Sequence, residues 1–385
     1  MQFQIDNEFL RHFRNLKQVF LYVTNECNLR CAHCLYKPNL TFHLGEKEIA
    51  LETALKLLAD FKQMGACKLT IEGGEPTLYG ASEGHKPLFD IINEAKSLKY
   101  EYVRISTNGT FQPSLLSKKE FAKLDEISFS LEGFNPEIND RLRGKGTFNK
   151  CVNNVKQAVA LGYNVNITCC LHNKMFERNP SGKLLLDDMI RFTESLGVKR
   201  INFHDLFKMG VPMDSWTGSF NPPVNTWQNA FEEIQRNISR GDYHIYVRLP
   251  RCFITRGEFE QNPQYYGYCP AKMGERVLVH PNGIIRICSN MIGTAFDVAR
   301  YYDGKILWNK SPTNELHDHK LSDFTPCTNR GKSKLPNNLV PLCFSFKPLQ
   351  EEIVWKEKLD WDRKRKEELP IYTNQNNNEK RERKI

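Results

Sequence analysis

No apolar run in this chain approaches the roughly 20 residues that a helix needs to cross a bilayer. The start, Met1-Gln2-Phe3-Gln4-Ile5-Asp6, is too polar for a signal peptide. Cysteine is sparse, 12 in 385 residues, which disfavours a disulfide-bonded secreted protein of this length. Together these absences predict a protein of a reducing, low-oxygen cytoplasm, with no membrane partner. There is no internal repeat and no visible RNA-binding module. The formal charge of +9, from 54 Lys and Arg against 45 Asp and Glu, raises nucleic acid as a partner. Part of that excess lies in Arg363-Lys364-Arg365-Lys366 and in Lys380-Arg381-Glu382-Arg383-Lys384, beyond the low-complexity stretch 374–378, and such tails are usually solvated and disordered. Nucleic acid is therefore not the expected partner, although a basic rim would attract an anionic substrate or an acidic peptide. The length allows a sizeable core and two lobes.

Cys27, Cys31 and Cys34 form a CxxxCxxC run directly after the apolar, strand-like stretch Val19 to Val23. Three thiolates on one short loop can bind three irons of a cubane cluster and leave the fourth without a cysteine. The blander readings are a zinc site or three core cysteines. Structural zinc normally takes four protein ligands, and no fourth Cys or His completes a familiar spacing here. His33, inside the loop, reads as a shield for a cluster and not as a ligand. The next strand-like segment, Cys67 to Glu72, ends in Gly73-Gly74-Glu75-Pro76. Its glycines permit close backbone approach, Glu75 offers an acceptor for an ammonium group and Pro76 stiffens the turn.

The CxxxCxxC run and the GGEP tetrapeptide together resemble the signature of the radical SAM enzymes. The resemblance implies a 4Fe-4S cluster on Cys27, Cys31 and Cys34 whose open iron is chelated by S-adenosylmethionine (SAM), with the motif Gly73, Gly74, Glu75 and Pro76 holding the SAM amino group. One electron, from an external donor of flavodoxin or ferredoxin type, then releases methionine and a 5′-deoxyadenosyl radical. Further elements match in chain order. Thr107 and Asn108, before Gly109, resemble the TNG element beside the cofactor. Glu126 to Glu132, followed by Gly133, resembles the SLDG strand end with Glu132 in place of aspartate, which implies a reach to the ribose hydroxyls. Ser130 and Arg143 match positions that contact the SAM carboxylate, a role that suits the planar fork of arginine.

Apolar strand-like runs at 18–24, 67–72, 101–107, 126–131, 163–171 and 200–205 alternate with helical patterns near 46–64, 86–98, 117–123, 147–161 and 183–196. Such alternation predicts an α/β fold with a parallel sheet. Six strands and their helices fit the partial (β/α)6 TIM-like barrel that the resemblance implies, with chemistry at the carboxyl ends of the strands. Thr24, Gly73, Thr107, Ser130 and Asn173 all fall at or just past those ends. The expected organisation is an N-terminal segment 1–16, the barrel 17–210, an auxiliary-cluster domain 211–360 and a basic tail 361–385.

In the last third, Arg276 to His280 and Ile284 to Ile287 alternate around Pro281-Asn282-Gly283, which predicts a β-hairpin. With Cys269 before it and Cys288 after it, the hairpin resembles the opening of the SPASM and Twitch extensions, where it anchors an auxiliary 4Fe-4S cluster. One auxiliary cluster is implied, on Cys269, Cys288, Cys327 and Cys343. Cys252 is a reserve ligand or a thiol facing the substrate, able to donate a hydrogen atom. The blander reading makes all of these small apolar core residues. Cys67, Cys151, Cys169 and Cys170 lack ligand spacing and read as core.

Enzymes with such extensions act on peptides or on sugars and aminocyclitols. The position after the hairpin's closing cysteine is Ser289, where an aspartate serves as base in the sulfatase-maturing branch. Unless a base comes from elsewhere, this favours carbon-carbon or carbon-heteroatom crosslinking over direct oxidation of a hydroxyl, and the expected enzyme is a peptide maturase that crosslinks or epimerises its substrate. The strand at 18–24 leaves too little chain ahead of it for a winged-helix leader-binding domain, so a separate leader-binding protein or the C-terminal lobe would hold the peptide. Tyr265, Tyr266, Tyr268, Arg248 and Arg251 are candidates to line the cleft. The alternatives are a sugar or aminocyclitol dehydrogenase or epimerase, and a non-catalytic iron-sulfur redox sensor.

Overall fold

The computed structural model describes residues 3–35, 47–206, 223–251, 253–261, 270–271, 273–289, 298–309 and 338–341. Cys252, Cys269, Cys327, Cys343, Tyr265, Tyr266, Tyr268 and the tail 361–385 lie outside them.

After a short strand β1 (Gln4–Ile5) and the helix Asn7–His12, seven strands pair side by side and all parallel: β2 (Gln18–Thr24), β3 (Lys68–Gly73), β4 (Tyr102–Thr107), β5 (Glu126–Ser130), β6 (Val165–Cys170), β7 (Arg200–His204) and β8 (Tyr246–Arg248). Period-two alternation gives the sheet two unlike faces. Val19, Leu21, Leu69, Ile71, Val103, Ile105, Ile127, Phe129, Ile167 and Ile201 are buried in one continuous apolar core. That core includes helical side chains such as Leu57, Leu58 and Phe61 of the helix Leu51–Gln63. Each of these contributes roughly 1.5–3 kcal/mol by leaving water. The alternate residues form a polar lumen. Ser106 Oγ donates to Glu72 at 2.8 Å, Tyr102 Oη to Glu126 at 2.6 Å, Asn166 Nδ2 to Ser128 at 2.8 Å and Arg200 Nε to Asn166 at 3.1 Å. Arg104 and Arg200 both pair with the buried Glu126.

All six expected strands are present. The seventh, β8, has three residues and too short a pattern to announce itself. The helical pattern near 117–123 is instead two 3-10 turns, Pro113–Ser117 and Phe121–Lys123, because a proline opens the first and apolar side chains recur too closely for a long amphipathic stripe. An unforeseen helix, Pro136–Arg143, starts where Asn135 accepts from the backbone N of Ile138 at 2.9 Å with Pro136 in the first turn. It ends at Gly144.

Beyond β9 (Phe253–Thr255), the expected hairpin is β10 (Arg276–Val279) and β11 (Ile284–Arg286), antiparallel and turned at Gly283 with φ +82°. Strands β12 (Ala299–Tyr302) and β13 (Lys305–Trp308) continue the meander, β13 pairs with β1, and β14 (Leu339–Pro341) pairs with β9. Strand β10 lies parallel to β2, with Arg276 opposite Gln18. The hairpin therefore extends the barrel's own sheet across the boundary drawn at residue 210. Among the described residues no helix is long and apolar enough to cross a membrane.

Candidate functional site

Three loops meet at the carboxyl ends of β2, β3 and β4. The cysteine loop leaves β2 at Thr24, whose backbone O accepts from Gly74 N at 2.8 Å, while Glu26 O accepts from Glu75 N at 2.7 Å. Contact this close requires glycine: a Cβ on Gly74 would lie 2.2 Å from Glu26 O, and one on Gly73 2.7 Å from Thr24 O. On the other side, Asn108 Nδ2 donates to Asn28 Oδ1 at 2.8 Å and Asn28 Nδ2 to Thr110 Oγ1 at 2.9 Å. Ala32 N donates to Leu142 O at 2.8 Å, which ties the loop to the helix Pro136–Arg143. Spacing alone could not reveal Asn28 and Leu142 as anchors, because their partners lie far away in sequence.

Two buried carboxylates organise these loops. Glu75 Oε1 accepts from Thr77 N at 3.1 Å, Thr77 Oγ1 at 2.7 Å and Thr107 Oγ1 at 2.8 Å, and Oε2 accepts from Asn108 N at 2.7 Å. Burial raises its pKa against these donors. Glu132 is the second, with no exposed surface. Its Oε1 takes Arg143 Nε at 3.0 Å and Nη2 at 2.6 Å, with His33 Nε2 at 3.1 Å, and its Oε2 takes Cys170 N at 2.5 Å. Burial alone would raise its pKa, but the Arg143 and His33 charges outweigh that and hold the carboxyl well below the usual range.

An ionised carboxylate offers about two lone-pair positions on each oxygen, and in both glutamates Oε1 receives three donors and Oε2 one. The ammonium-accepting role expected of Glu75 and the ribose-binding role expected of Glu132 thus meet buried side chains already braced by donors from the protein, each with an acceptor position left on Oε2. Thr107 likewise gives its hydroxyl to Glu75. Pro76 opens a buried 3-10 turn, and Ser130 closes β5.

Cys27, Cys31 and Cys34 are half-buried and free of disulfides. Leu29 N donates to Cys27 Sγ at 3.4 Å, and Asn108 Nδ2 lies 3.9 Å from it. Burial pushes the Cys27 and Cys31 thiols up, so their thiolate forms need a cation to be stable, which fits an iron-bound ligand set. Cys151 and Cys169 are buried core residues, as expected. Cys170 is not simply core: it stands on the lumen side of β6, and its thiol, His33 and Glu132 offer ligand atoms within 4.8 Å of one another. Its strand parity with Asn166 and Thr168 is the signal that marks it. Because the Arg143 guanidinium occupies the same Glu132 oxygen, this triangle is a hydrogen-bonded unit and a poor seat for a metal cation.

At the other end of β2, Arg276 Nη2 donates to the buried Cys288 Sγ at 3.2 Å. Cys288 is the one proposed auxiliary ligand among the described residues. Of the cleft candidates, Arg251 is bound instead to Glu258 at 2.6 and 2.8 Å, because the helix Arg256–Gln261 folds back beside it. Arg248 acts on the lumen. Its charge, with that of Arg104 and with burial first, pushes His204 down to about 4.

The parallel barrel and its interlocked cysteine loop define a class: residues 21–179 match the Radical SAM superfamily, and the chain is a radical SAM enzyme. Among particular relatives, it is 28% identical to the GTP 3',8-cyclase of Limosilactobacillus fermentum over 88% of this chain and 90% of that one. It is 24% identical to the GTP 3',8-cyclase of Petrotoga mobilis, over 40% of this chain and only 46% of that enzyme. The fold also resembles Streptococcus suis SuiB bound to precursor peptide SuiA, with a TM-score of 0.56 and 18% identity over 75% of this chain and 63% of that one. Native anSMEcpe with bound AdoMet and Kp18Cys peptide gives a TM-score of 0.57 and 14% identity, over 90% and 97% of the two chains.

Proposed function

We propose that this radical SAM enzyme abstracts hydrogen from a peptide side chain or backbone, leading to a crosslink or an epimerised centre. The carrying observation is the interlocking of the cysteine loop with the Gly73–Pro76 and Thr107–Gly109 loops on one barrel face. Cys27, Cys31 and Cys34 would hold the 4Fe-4S cluster, and Arg143 and Ser130 would receive the SAM carboxylate. Bound together, cluster and SAM supply a 5′-deoxyadenosyl radical. The protein's own part is positional. Gly73 and Gly74 let the cofactor loop lie against the cysteine loop, Glu75 locks Thr107 and Asn108 to it, and Asn108 presents an N–H towards the Cys27 sulfur. Cys288, with Cys269, Cys327 and Cys343, would hold one auxiliary 4Fe-4S cluster, with Cys252 in reserve. The remaining components are a flavodoxin- or ferredoxin-type donor and a separate leader-binding protein. Support for the peptide comes from SuiB and anSMEcpe, whose structures carry peptides and whose folds resemble 75% and 90% of this chain.

A second reading has its own observation. The lumen carries Arg104, Arg200, Arg248 and Arg286 against Glu72 and Glu126, and the Arg286 charge, after burial, helps push His280 well below its ordinary pKa. This favours a small anionic substrate, in keeping with relatives named for GTP. Deuterium transfer into 5′-deoxyadenosine separates the two. Transfer from a labelled peptide supports the first reading, and transfer only from a labelled nucleotide or sugar overturns it.

A further inference from the structure

We propose that Glu132 is a positioning residue: it holds Arg143 and the cysteine loop in place for the amino-acid end of SAM, and it does not bind the ribose. This rests on the radical SAM reading of the site and deepens it.

Burial is the first ground. Glu132 is fully buried, and its two oxygens accept from Arg143 Nε and Nη2, His33 Nε2 and Cys170 N at 2.5–3.1 Å. Because the side chain has no exposed surface, a ribose hydroxyl could reach Oε2, which carries the single donor Cys170 N, only if Glu132 moved away from Arg143 and His33. Loss of a partner from a buried ion pair is strongly destabilising.

The second ground is what the four donors connect. His33 lies between Cys31 and Cys34, so its bond to Oε1 fixes the middle of the ligand loop. Arg143 closes the helix Pro136–Arg143, whose Leu142 O also receives Ala32 N. Cys170 N belongs to the end of β6, and the backbone O of Glu132 itself receives His172 Nε2 at 2.8 Å. Its backbone N is held by Asn139 Oδ1 at 2.9 Å. Three separate carboxyl-end loops therefore converge on one side chain. Glu132 takes the Nε and Nη2 edge of the guanidinium, and among the described contacts Nη1 is the nitrogen it leaves uncommitted. A glutamate in place of aspartate adds one methylene, about 1.5 Å of reach, and here that reach is spent on Arg143 and His33.

The test compares full-length, anaerobically reconstituted wild type, Glu132→Gln and Glu132→Asp for binding of SAM, methionine and 5′-deoxyadenosine by equilibrium dialysis, with iron content measured on the same samples. A positioning role predicts that methionine and SAM affinity fall about 10- to 100-fold in Glu132→Gln, as for partners that orient a ligand-binding group, while 5′-deoxyadenosine affinity stays within about twofold. Glu132→Asp, which keeps the charge but retracts it, shows the same split to a smaller degree and decides the matter if Glu132→Gln does not fold. Loss of 5′-deoxyadenosine affinity in either variant, or unchanged affinity for all three ligands, overturns the proposal. Failure of the underlying reading looks different: wild type itself would then bind neither iron nor SAM.

Discussion

The backbone N–H of Asn108 donates to Oε2 of Glu75 at 2.7 Å, joining two loops 33 residues apart in sequence, and Asn108 then spends its side chain on Asn28 in the cysteine loop. Glu75 is thus a brace between the loops as much as a member of a ligand motif. Glu75→Gln keeps the shape but turns an acceptor into a donor opposite a buried N–H. Such a mismatch costs roughly 1–3 kcal/mol. We expect a lower unfolding midpoint for the apoprotein in urea and a lower iron content after reconstitution.

Gly74→Ala places a methyl where Glu26 O stands 2.2 Å away. Overpacking of this kind costs typically about 1–3 kcal/mol, and because the clash lies at the entrance to the cysteine loop, iron binding should fall with it. Gly257→Ala is the control, since a Cβ there meets nothing within 4 Å. Its melting temperature and iron content should match wild type.

The lumen makes a prediction about pH. His204 is pushed down to about 4 by burial, Arg248 and Arg104, against about 6.5 for an unperturbed histidine. Between these values the unfolded chain binds the extra proton and the folded chain does not, so stability falls as pH drops from about 6.5 towards 4. The contribution is complete above that window. His204→Gln should flatten this share of the acid loss, read from apoprotein melting temperatures across the window. An unaltered pH slope would contradict the assignment.

Cysteine alkylation followed by mass spectrometry separates ligands from core. Cys151 is buried and pushed up to about 12, by burial first, and Cys169 is raised for the same reason. Neither should react with iodoacetamide in the native protein at pH 8. Cys27, Cys31 and Cys34 are only half-buried; they should react in the apoprotein and be protected after reconstitution with iron and sulfide.

Much of this was legible in the sequence, for reasons that are local. Strand β2 is a continuous apolar run and β3 to β7 alternate apolar and polar residues, strongly enough to be read singly, and Pro281-Asn282-Gly283 marks the hairpin. What could not be read is what depends on distant partners. The parallel pairing of β10 with β2 leaves no local trace, so the sequence does not show that the hairpin joins the barrel's sheet. Glu132 and Arg143 looked like two independent cofactor ligands because the helix Pro136–Arg143, eight residues long and mostly polar, was invisible, and it is this helix that turns Arg143 back onto Glu132. Cys170 reads as core beside Cys169 on residue type alone, although neighbouring positions on a strand face opposite sides.

The most direct measurement is iron and sulfide per chain after anaerobic reconstitution, with reductive SAM cleavage followed in the same samples, for wild type and for the Cys27→Ala, Cys31→Ala, Cys34→Ala triple variant. About eight irons in an active wild type and about four in an inactive variant are expected for a SAM cluster plus one auxiliary cluster. Equal iron in the two proteins, or SAM cleavage that survives in the variant, would contradict the assignment of the cluster to Cys27, Cys31 and Cys34.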